Sequence, residues 1–203
     1  MAFITKKIST EIAPAARKPA ELIAQLSDAD ALIRRWAARD LLHHPEAASA
    51  LVAQLQAERE VSVREVILTT LTRLGGRVAV AGLVDCLRSE DAHLRNEAIQ
   101  AMKALPLEVA PIMGMLLTDN DPDVRIMVVN ILESLRHPQV EEWLLAVIEN
   151  DPEVNVCGTA VDLLGEVGSA ASRAPLLRLK TRFLDEPYIQ FAADLALKRL
   201  GKA

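Results

Sequence analysis

Apolar residues recur along this chain at intervals of three and four, the spacing that places them on one face of a helix. Two clear runs are Val63, Ile67, Leu71 and Leu74, and Val124, Val128, Ile131, Leu132 and Leu135. The runs stop at residues that end or break helices, namely Gly75-Gly76, Pro106, Pro138 and Gly168. The pattern predicts a succession of short amphipathic helices, each with one buried face.

A five-residue phrase opens these helices: an acidic residue, two variable positions, an aliphatic residue and then usually Arg. The regular copies are Asp30-Ala-Leu-Ile-Arg34, Glu60-Val-Ser-Val-Arg64, Asp91-Ala-His-Leu-Arg95 and Asp121-Pro-Asp-Val-Arg125. Two weaker copies follow, Asp151-Pro-Glu-Val-Asn155 and Glu186-Pro-Tyr-Ile-Gln190. The fifth residues are 30, 31, 30, 30 and 35 positions apart. Such a period predicts a solenoid of stacked helical units.

The acid and the Arg of each phrase have separate expected roles. The acid is expected to cap the free N–H groups of the helix and to complement its dipole. The Arg, four residues later, can reach that acid or the loop carbonyls of a neighbouring repeat. We expect a structural ladder of Asp30, Arg34, Glu60, Arg64, Asp91, Arg95, Asp121 and Arg125. The ladder breaks at Asn155 and Gln190, so the last repeats are expected to pack differently or to be more mobile.

A second helix fills the rest of each repeat. These second helices are predicted at 46–57, 77–89, 107–118, 138–149 and 170–182. A helix near 18–27 resembles the second helix of a half repeat, and 186–201 a first helix without its partner, so twelve helices alternate along the chain. The prediction is an all-α fold, a right-handed α-solenoid of about five and a half helical-hairpin repeats over residues 18–203. Residues 1–17 form an extension with three possible fates: it caps the first repeat, where it would cover Trp36, swaps onto a partner, or is disordered.

Composition narrows the classes of partner. Apolar residues make up 51% of the chain and aromatic residues 3%, and the abundant Ala and Leu favour helix. No apolar run approaches the roughly 18 to 20 residues needed to cross a bilayer, so we expect a cytoplasmic protein without membrane insertion. Residues 20–172 hold 12 basic and 24 acidic residues, a net charge of −12, which repels phosphate backbones. Nucleic acid is therefore not an expected partner.

The phrase Asp-Pro-Asp-Val-Arg at residues 121–125, followed by a helix rich in Ala, Val and Leu, has a period near 30. In these features the chain resembles the HEAT repeats of the phycobilisome-lyase-like subclass, over about residues 28–201. The resemblance implies an α-solenoid. It leaves function open, because the family includes scaffolds, adaptors, inhibitors and a few enzymes.

Two enzyme classes built on this fold do not match the sequence. Deoxyhypusine hydroxylase holds a di-iron centre with His-Glu dipeptides, but none of His43, His44, His93 and His137 precedes a glutamate. DNA glycosylases of this architecture need a basic groove, and the body of this chain is acidic. Cys86 and Cys157 belong to no CxxC pair. We predict no catalytic residue, metal site or cofactor.

The remaining hypotheses both involve a protein partner. The first is a non-enzymatic scaffold or adaptor in a bacterial signalling or assembly system, holding a helix or extended segment on a concave surface lined by the second helices. Trp143 stands there where other repeats have Ala, Gly or Pro, and exposed Trp is frequent in binding hot spots. The residues predicted on this surface are Asp85, Arg88, Glu142, Trp143, Glu149 and Arg178. The alternative is a bilin lyase-type chromophore chaperone acting with a partner subunit. The sequence leaves the oligomeric state open.

Overall fold

The computed structural model describes residues 17–201, in which every regular element is a helix. The α-helices are α1 (Pro19–Gln25), α2 (Ala31–Asp40), α3 (Ala48–Ala57), α4 (Val61–Leu74), α5 (Gly76–Cys86), α6 (Ala92–Lys103), α7 (Pro106–Val109), α8 (Met113–Leu116), α9 (Pro122–Leu132), α10 (Val140–Asn150), α11 (Val154–Val167), α12 (Arg173–Arg182) and α13 (Pro187–Leu200). Single 3-10 turns lie at Leu41–His43, Pro45–Ala47, Ala110–Ile112 and Ala170–Ser172. Of the N-terminal extension predicted over residues 1–17, residues 1–16 lie outside the described residues.

First and second helices alternate as predicted, and the all-α solenoid is confirmed. The first helices are α2, α4, α6, α9, α11 and α13; the second helices are α1, α3, α5, the interrupted pair α7 and α8, α10 and α12. Each repeat contributes fully buried side chains to one continuous core between the two layers, which is how a solenoid stabilises hairpins too short to fold alone. Members of this core include Leu51, Ile67, Leu83, Met102, Met113, Val128, Leu144, Leu164 and Leu176.

Side-chain capping by Asp explains where α2, α6 and α9 begin, three of the six first helices within residues 17–201. Asp30 Oδ1 accepts a hydrogen bond from the N–H of Leu32 at 2.8 Å, and Asp91 and Asp121 accept equivalent bonds from residues 93 and 123 at 2.9 Å. Glu60 also stands at an N-cap, but its side chain makes no capping hydrogen bond. The short Asp side chain therefore provides the cap, as helix statistics favour.

The fifth repeat begins two residues later than the sequence predicted. Helix α11 starts at Val154 with Glu153, not Asp151, as its N-cap residue. Counted from Glu153, Val156 takes the buried aliphatic position and Cys157, not Asn155, takes the Arg position. Pro152 caused the error, because Asp-Pro also opens the fourth repeat at residues 121–122, where Pro occupies the first helical position.

The two layers differ in how closely their helices pack. The first helices contact one another along the whole stack, whereas α8 and α10 in the second layer make few contacts with each other. These contacts do not test which layer lines the concave side, so the expectation that the second helices line it stays a prediction.

Candidate partner-binding groove

A groove of about 510 Å³ separates α8 from α10 on the second-helix face. The groove exists because the second helix formed by α7 and α8 is interrupted. Pro111 lacks an N–H donor and falls in the 3-10 turn between these two segments. Gly114 then leaves the wall open, since nothing lies within 4 Å of where its Cβ would stand. The sequence pattern predicts one continuous helix over 107–118, which does not reveal the interruption that forms the groove.

Trp143 forms the aromatic wall of this groove and is half-buried. One face of its indole stacks on His137, with ring centroids 5.1 Å apart and 11° between the planes. The His137 ring is itself held in place, because its Nδ1 accepts the N–H of Gln139 at 3.2 Å. Leu117, Ala146, Val147 and Pro152 add to the apolar lining. A Trp held in this way loses little further freedom when a ligand contacts it.

A buried ion pair closes one end of the groove. Arg125 Nε and Nη2 donate to the two carboxylate oxygens of Asp151 at 2.7 and 2.9 Å, and Nη1 donates to the carbonyl of Asp119 at 2.7 Å. The hydrogen bonds to Asp151 raise the pKa of the Arg125 guanidinium. Because these groups satisfy one another, they shape the groove rather than offering a reactive charge.

The other residues predicted on the second-helix face are all exposed. Arg88 pairs with Asp119, and Arg178 pairs with Glu149, so each arginine links two neighbouring repeats. Asp85 and Glu142 make no ion pair within residues 17–201. The structure thus brings Trp143, Glu142, Glu149 and Arg178 together around α10, while Asp85 and Arg88 lie on α5 and the loop after it.

A second trough runs along the opposite side of α10, with a volume of about 480 Å³. Its lining includes the carboxylates of Glu141, Glu142 and Glu149. Ala146 lines both this trough and the Trp143 groove, so α10 forms a low ridge between them. The result is an apolar cleft beside an acidic shelf, a combination that suits a segment with apolar and basic side chains.

Three arginines of the predicted ladder, Arg34, Arg64 and Arg125, pair with an acid near the start of the following repeat. Arg34 donates to both carboxylate oxygens of Glu58 at 2.7 and 2.8 Å and to the carbonyl of Asp28 at 2.9 Å. The hydrogen bonds from Arg34 lower the pKa of Glu58 to about 2. Arg64 donates to Asp91 at 2.6 Å, which lowers the pKa of that carboxyl.

These contacts have a different geometry from the one expected. Arg34 and Arg125 meet carbonyls of their own loop and an acid of the following repeat, whereas Arg64 meets the acid alone. None of the three bonds the acid that caps its own helix. Arg95 makes only the first kind of contact, donating to the carbonyl of Ser89 at 2.6 Å. The repeated phrase does not predict the role of Glu58, because this residue lies two positions before the phrase that begins at Glu60.

The described residues offer little for metal or thiol chemistry. Cys86 and Cys157 are buried, and burial raises the pKa of each thiol to about 11. Residues 17–201 contain no group of three or more His, Cys, Asp or Glu side chains placed to hold a metal ion. None of the helices in this range is both long and apolar enough to cross a membrane.

This repeat architecture is similar to that of known protein families. A family model described as HEAT repeats matches residues 19–103 and 109–198. The bilin biosynthesis protein PecE of Nostoc sp. is 35% identical over 75 residues, which are 36% of this chain and 30% of that protein. PecE of Mastigocladus laminosus is 37% identical over 75 residues, 36% of this chain and 28% of its own length. The matched segment thus spans less than a third of either relative.

Solved structures with a similar course of the chain share little sequence with it. An archaeal HEAT-like repeat protein from Thermococcus onnurineus NA1 is 18% identical, with a TM-score of 0.48, and the match covers 91% of this chain and 87% of that one. The complex of CpcE and CpcF of phycocyanin lyase from Nostoc sp. matches at 20% identity and a TM-score of 0.39, over 97% of this chain and 99% of that one. With HEAT repeats matched over most of its length, the chain belongs to the HEAT-repeat family, and its predicted resemblance to the phycobilisome-lyase-like members is confirmed.

Proposed function

We propose that this chain is a non-enzymatic scaffold that binds a segment of another protein on its second-helix face. The observation that carries the proposal is Trp143, held against His137 at the wall of an open apolar groove. A rigid aromatic side chain beside an unfilled cleft is the arrangement found at the centre of protein-binding hot spots. The bacterial signalling or assembly setting expected from the sequence is part of this proposal.

The charges around the groove define the partner segment further. Glu142 and Glu149 are exposed on the ridge next to Trp143. A partner helix with one apolar side chain in the cleft and a Lys or Arg one turn away would meet Glu142, because Glu149 already pairs with Arg178. Such rim charges mainly increase the rate of association and select the partner, while the buried contact with Trp143 sets the dissociation rate.

Affinity purification of the tagged full chain from its native cell tests the scaffold proposal. We compare the wild type with Trp143→Ala, which removes the aromatic wall of the groove, and with Ala146→Arg, which places a long side chain in the groove. Asn130→Arg is the matched control, because Asn130 is an exposed helical residue on the first-helix layer. A protein retained by the wild type and the control, and reduced about tenfold by both groove variants, supports the proposal. Equal recovery with all four forms would place the binding surface elsewhere.

A second candidate function is bilin handling together with a partner subunit. The similarity to PecE over 75 residues favours it. The acidic shelf beside Trp143 disfavours it, because the propionates of a linear tetrapyrrole are themselves negative at neutral pH. Adding biliverdin to the purified full chain separates the two functions. A shifted and intensified absorption band that Trp143→Ala abolishes would support bilin handling in this groove, and an unchanged spectrum would count against it.

A further inference from the structure

The residue two positions before the helix cap has one role at five of the first helices, α2, α4, α6, α9 and α11. Its side chain accepts a hydrogen bond from the backbone N–H of the cap residue, which fixes the turn into the helix. In chain order these residues are Asp28, Glu58, Ser89, Asp119 and Asp151, with N–O distances between 2.8 and 3.1 Å. We call this position the turn acceptor.

Two turn acceptors also join consecutive first helices. Arg34 donates through Nε and Nη2 to the two carboxylate oxygens of Glu58. Arg125 holds Asp151 through the same two nitrogens. In both cases Nη1 donates to the backbone carbonyl of the turn acceptor in the arginine's own repeat, at 2.9 and 2.7 Å. A ladder arginine is therefore placed by its own loop and reaches the turn acceptor of the next repeat from there.

The junction between the third and fourth repeats has both members of this pair without the link between them. Arg95 Nη1 donates to the backbone carbonyl of its own turn acceptor, Ser89, at 2.6 Å, so its guanidinium stands in the ladder position. Asp119, the turn acceptor of the next repeat, accepts its cap N–H at 3.0 Å. Its other carboxylate oxygen is bonded by Arg88, which follows α5 on the second-helix face. The register thus assigns Asp119 to Arg95, whereas the structure pairs it with Arg88.

Exposure separates the two kinds of pair. The Asp119 side chain is 15% exposed, against 3% for Glu58 and 5% for Asp151, and the Arg88 side chain is 44% exposed. An ion pair that water reaches contributes little, so the bond from Arg88 is the easier one to give up. Asp119 also lines the Trp143 groove, so a change of its partner takes place at the groove itself.

We infer that Asp119 exchanges between Arg88 and Arg95, and that the exchange frees Arg88 to bind an acidic side chain of the partner segment. A guanidinium binds a carboxylate through two parallel hydrogen bonds. When Arg88 turns to such an acid, Asp119 passes to Arg95 and keeps a charged partner, which avoids the cost of an unpaired carboxylate. The exchange concerns this chain alone, whereas the binding role of Arg88 rests on the proposed scaffold function. The bound segment then has an acid on the α5 side of the groove and its basic residue at Glu142.

Thermal unfolding of the full chain tests the exchange without a partner. We compare the wild type with Arg88→Ala, Arg95→Ala and the double variant. Arg88→Ala alone should leave the unfolding midpoint almost unchanged, because Arg95 takes over Asp119. The double variant should lose about 2 to 4 °C more than the two single losses together, because Asp119 then has neither arginine. Additive losses would overturn the exchange.

Arg178→Ala is the matched control for Arg88→Ala. Arg178 also links neighbouring repeats on the second-helix face, but its acid, Glu149, lies within α10 and is not a turn acceptor. The losses from Arg178→Ala and Arg95→Ala should therefore add. Coupling between these two as large as that between Arg88 and Arg95 would show a general effect on the stack and would equally overturn the exchange.

Affinity purification of the tagged full chain tests the role of Arg88 in binding, and its readout is the protein whose recovery depends on Trp143. Arg88→Ala and Arg95→Ala should each reduce this recovery severalfold. The first removes the cation, and the second leaves Asp119 without a replacement, so that Arg88 stays bound to it. Arg64→Ala is the control, because it removes a ladder arginine from the second repeat and leaves Asp119 untouched. An unfolding midpoint above the temperature of the purification verifies that each variant folds.

The possible failures are distinguishable. Full recovery with Arg88→Ala or with Arg95→Ala, or an equal loss with Arg64→Ala, would overturn the binding role of Arg88 while a Trp143-dependent partner is still retained. Recovery of no Trp143-dependent protein would overturn the scaffold function and the binding role together. The unfolding midpoints decide the exchange in either case.

Discussion

Arg182, the last residue of α12, donates a hydrogen bond to Sγ of Cys157 in α11 at 3.1 Å. It also donates to the carbonyl of Asp151 at 2.8 Å and to that of Glu149 at 2.6 Å. In the fourth repeat, Arg125 donates to the equivalent carbonyl, two residues before the N-cap, from within its own helix. The fifth repeat has Cys157 at the Arg position, and the second helix of the same repeat, α12, supplies the guanidinium instead.

Arg182→Ala is expected to destabilise the C-terminal repeats by about 1 to 3 kcal/mol, because it removes the hydrogen bonds to the part-buried carbonyl of Asp151 and to the carbonyl of Glu149. Arg178→Ala, one turn earlier and paired only on the surface, should cost less than about 1 kcal/mol. Urea unfolding followed by circular dichroism measures both. The substitution Cys157→Arg, added to Arg182→Ala, should recover part of the loss. A double variant no more stable than Arg182→Ala would show that the two arginine positions are not equivalent.

Thiol labelling provides a local measurement of the same contact. The chain has two cysteines, and both should react slowly in the folded protein because burial raises the pKa of each thiol to about 11. Arg182→Ala should speed labelling of Cys157 about tenfold for every 1.4 kcal/mol lost from local stability. Since Arg182 lowers the pKa of that thiol, its removal alone would slow the reaction. Faster labelling therefore reports opening of the repeat, and Cys86 in the same sample should keep its rate.

The helices and their order were predictable because each is encoded locally. Asp91 caps the helix it precedes, and the aliphatic residue three positions later is buried, so a short phrase contains both signals. The fifth repeat shows the limit of this rule. There Asp151-Pro152 imitates a helix start, while the true cap, Glu153, depends on how Val156 and Cys157 pack against neighbouring repeats.

The candidate groove could be predicted only in part. Trp143 stood out because equivalent positions hold small residues, and it does line the groove. The groove itself results from Pro111 and Gly114 acting on the spacing of α8 and α10, which is a tertiary effect. The contact between Arg182 and Cys157 could not be predicted either, because the two residues are 25 positions apart and no sequence period connects them.

Acid should weaken the contact between the first two repeats. Arg34 lowers the pKa of Glu58 to about 2 from an ordinary value of 4.5. The pair therefore contributes its full stability above about pH 4.5, and that contribution is lost as the pH falls toward 2. Glu58→Gln is expected to cost about 2 kcal/mol at neutral pH and to flatten the pH dependence in this window. Unfolding midpoints between pH 7 and about pH 3 give the comparison, with Glu65→Gln, an exposed change on α4, as the control. Parallel curves for Glu58→Gln and the wild type would contradict the assignment.

Gly158 and Tyr188 provide the sharpest test of how α11 and α13 meet. The hydrogen bond to Asp162 raises the pKa of Tyr188 to about 12, and this is the chain's one tyrosine, so phenolate absorbance reports it alone. Gly158→Ala would place a Cβ 2.5 Å from the ring and displace it, breaking the bond. Overpacking of about 1 to 3 kcal/mol is offset by up to about 1 kcal/mol of helix propensity and by rotation of a half-exposed ring. Stability is therefore a weak reporter of the substitution, whereas the titration is a direct one.

In the wild type the stability from this bond is complete below about pH 10 and is lost as the pH rises toward 12. In Gly158→Ala the tyrosine should titrate near its ordinary value of 10. Gly114→Ala is the matched control, since nothing lies within 4 Å of its Cβ position and the tyrosine should titrate as in the wild type. An unchanged titration in Gly158→Ala would mean that the ring does not rest on Gly158.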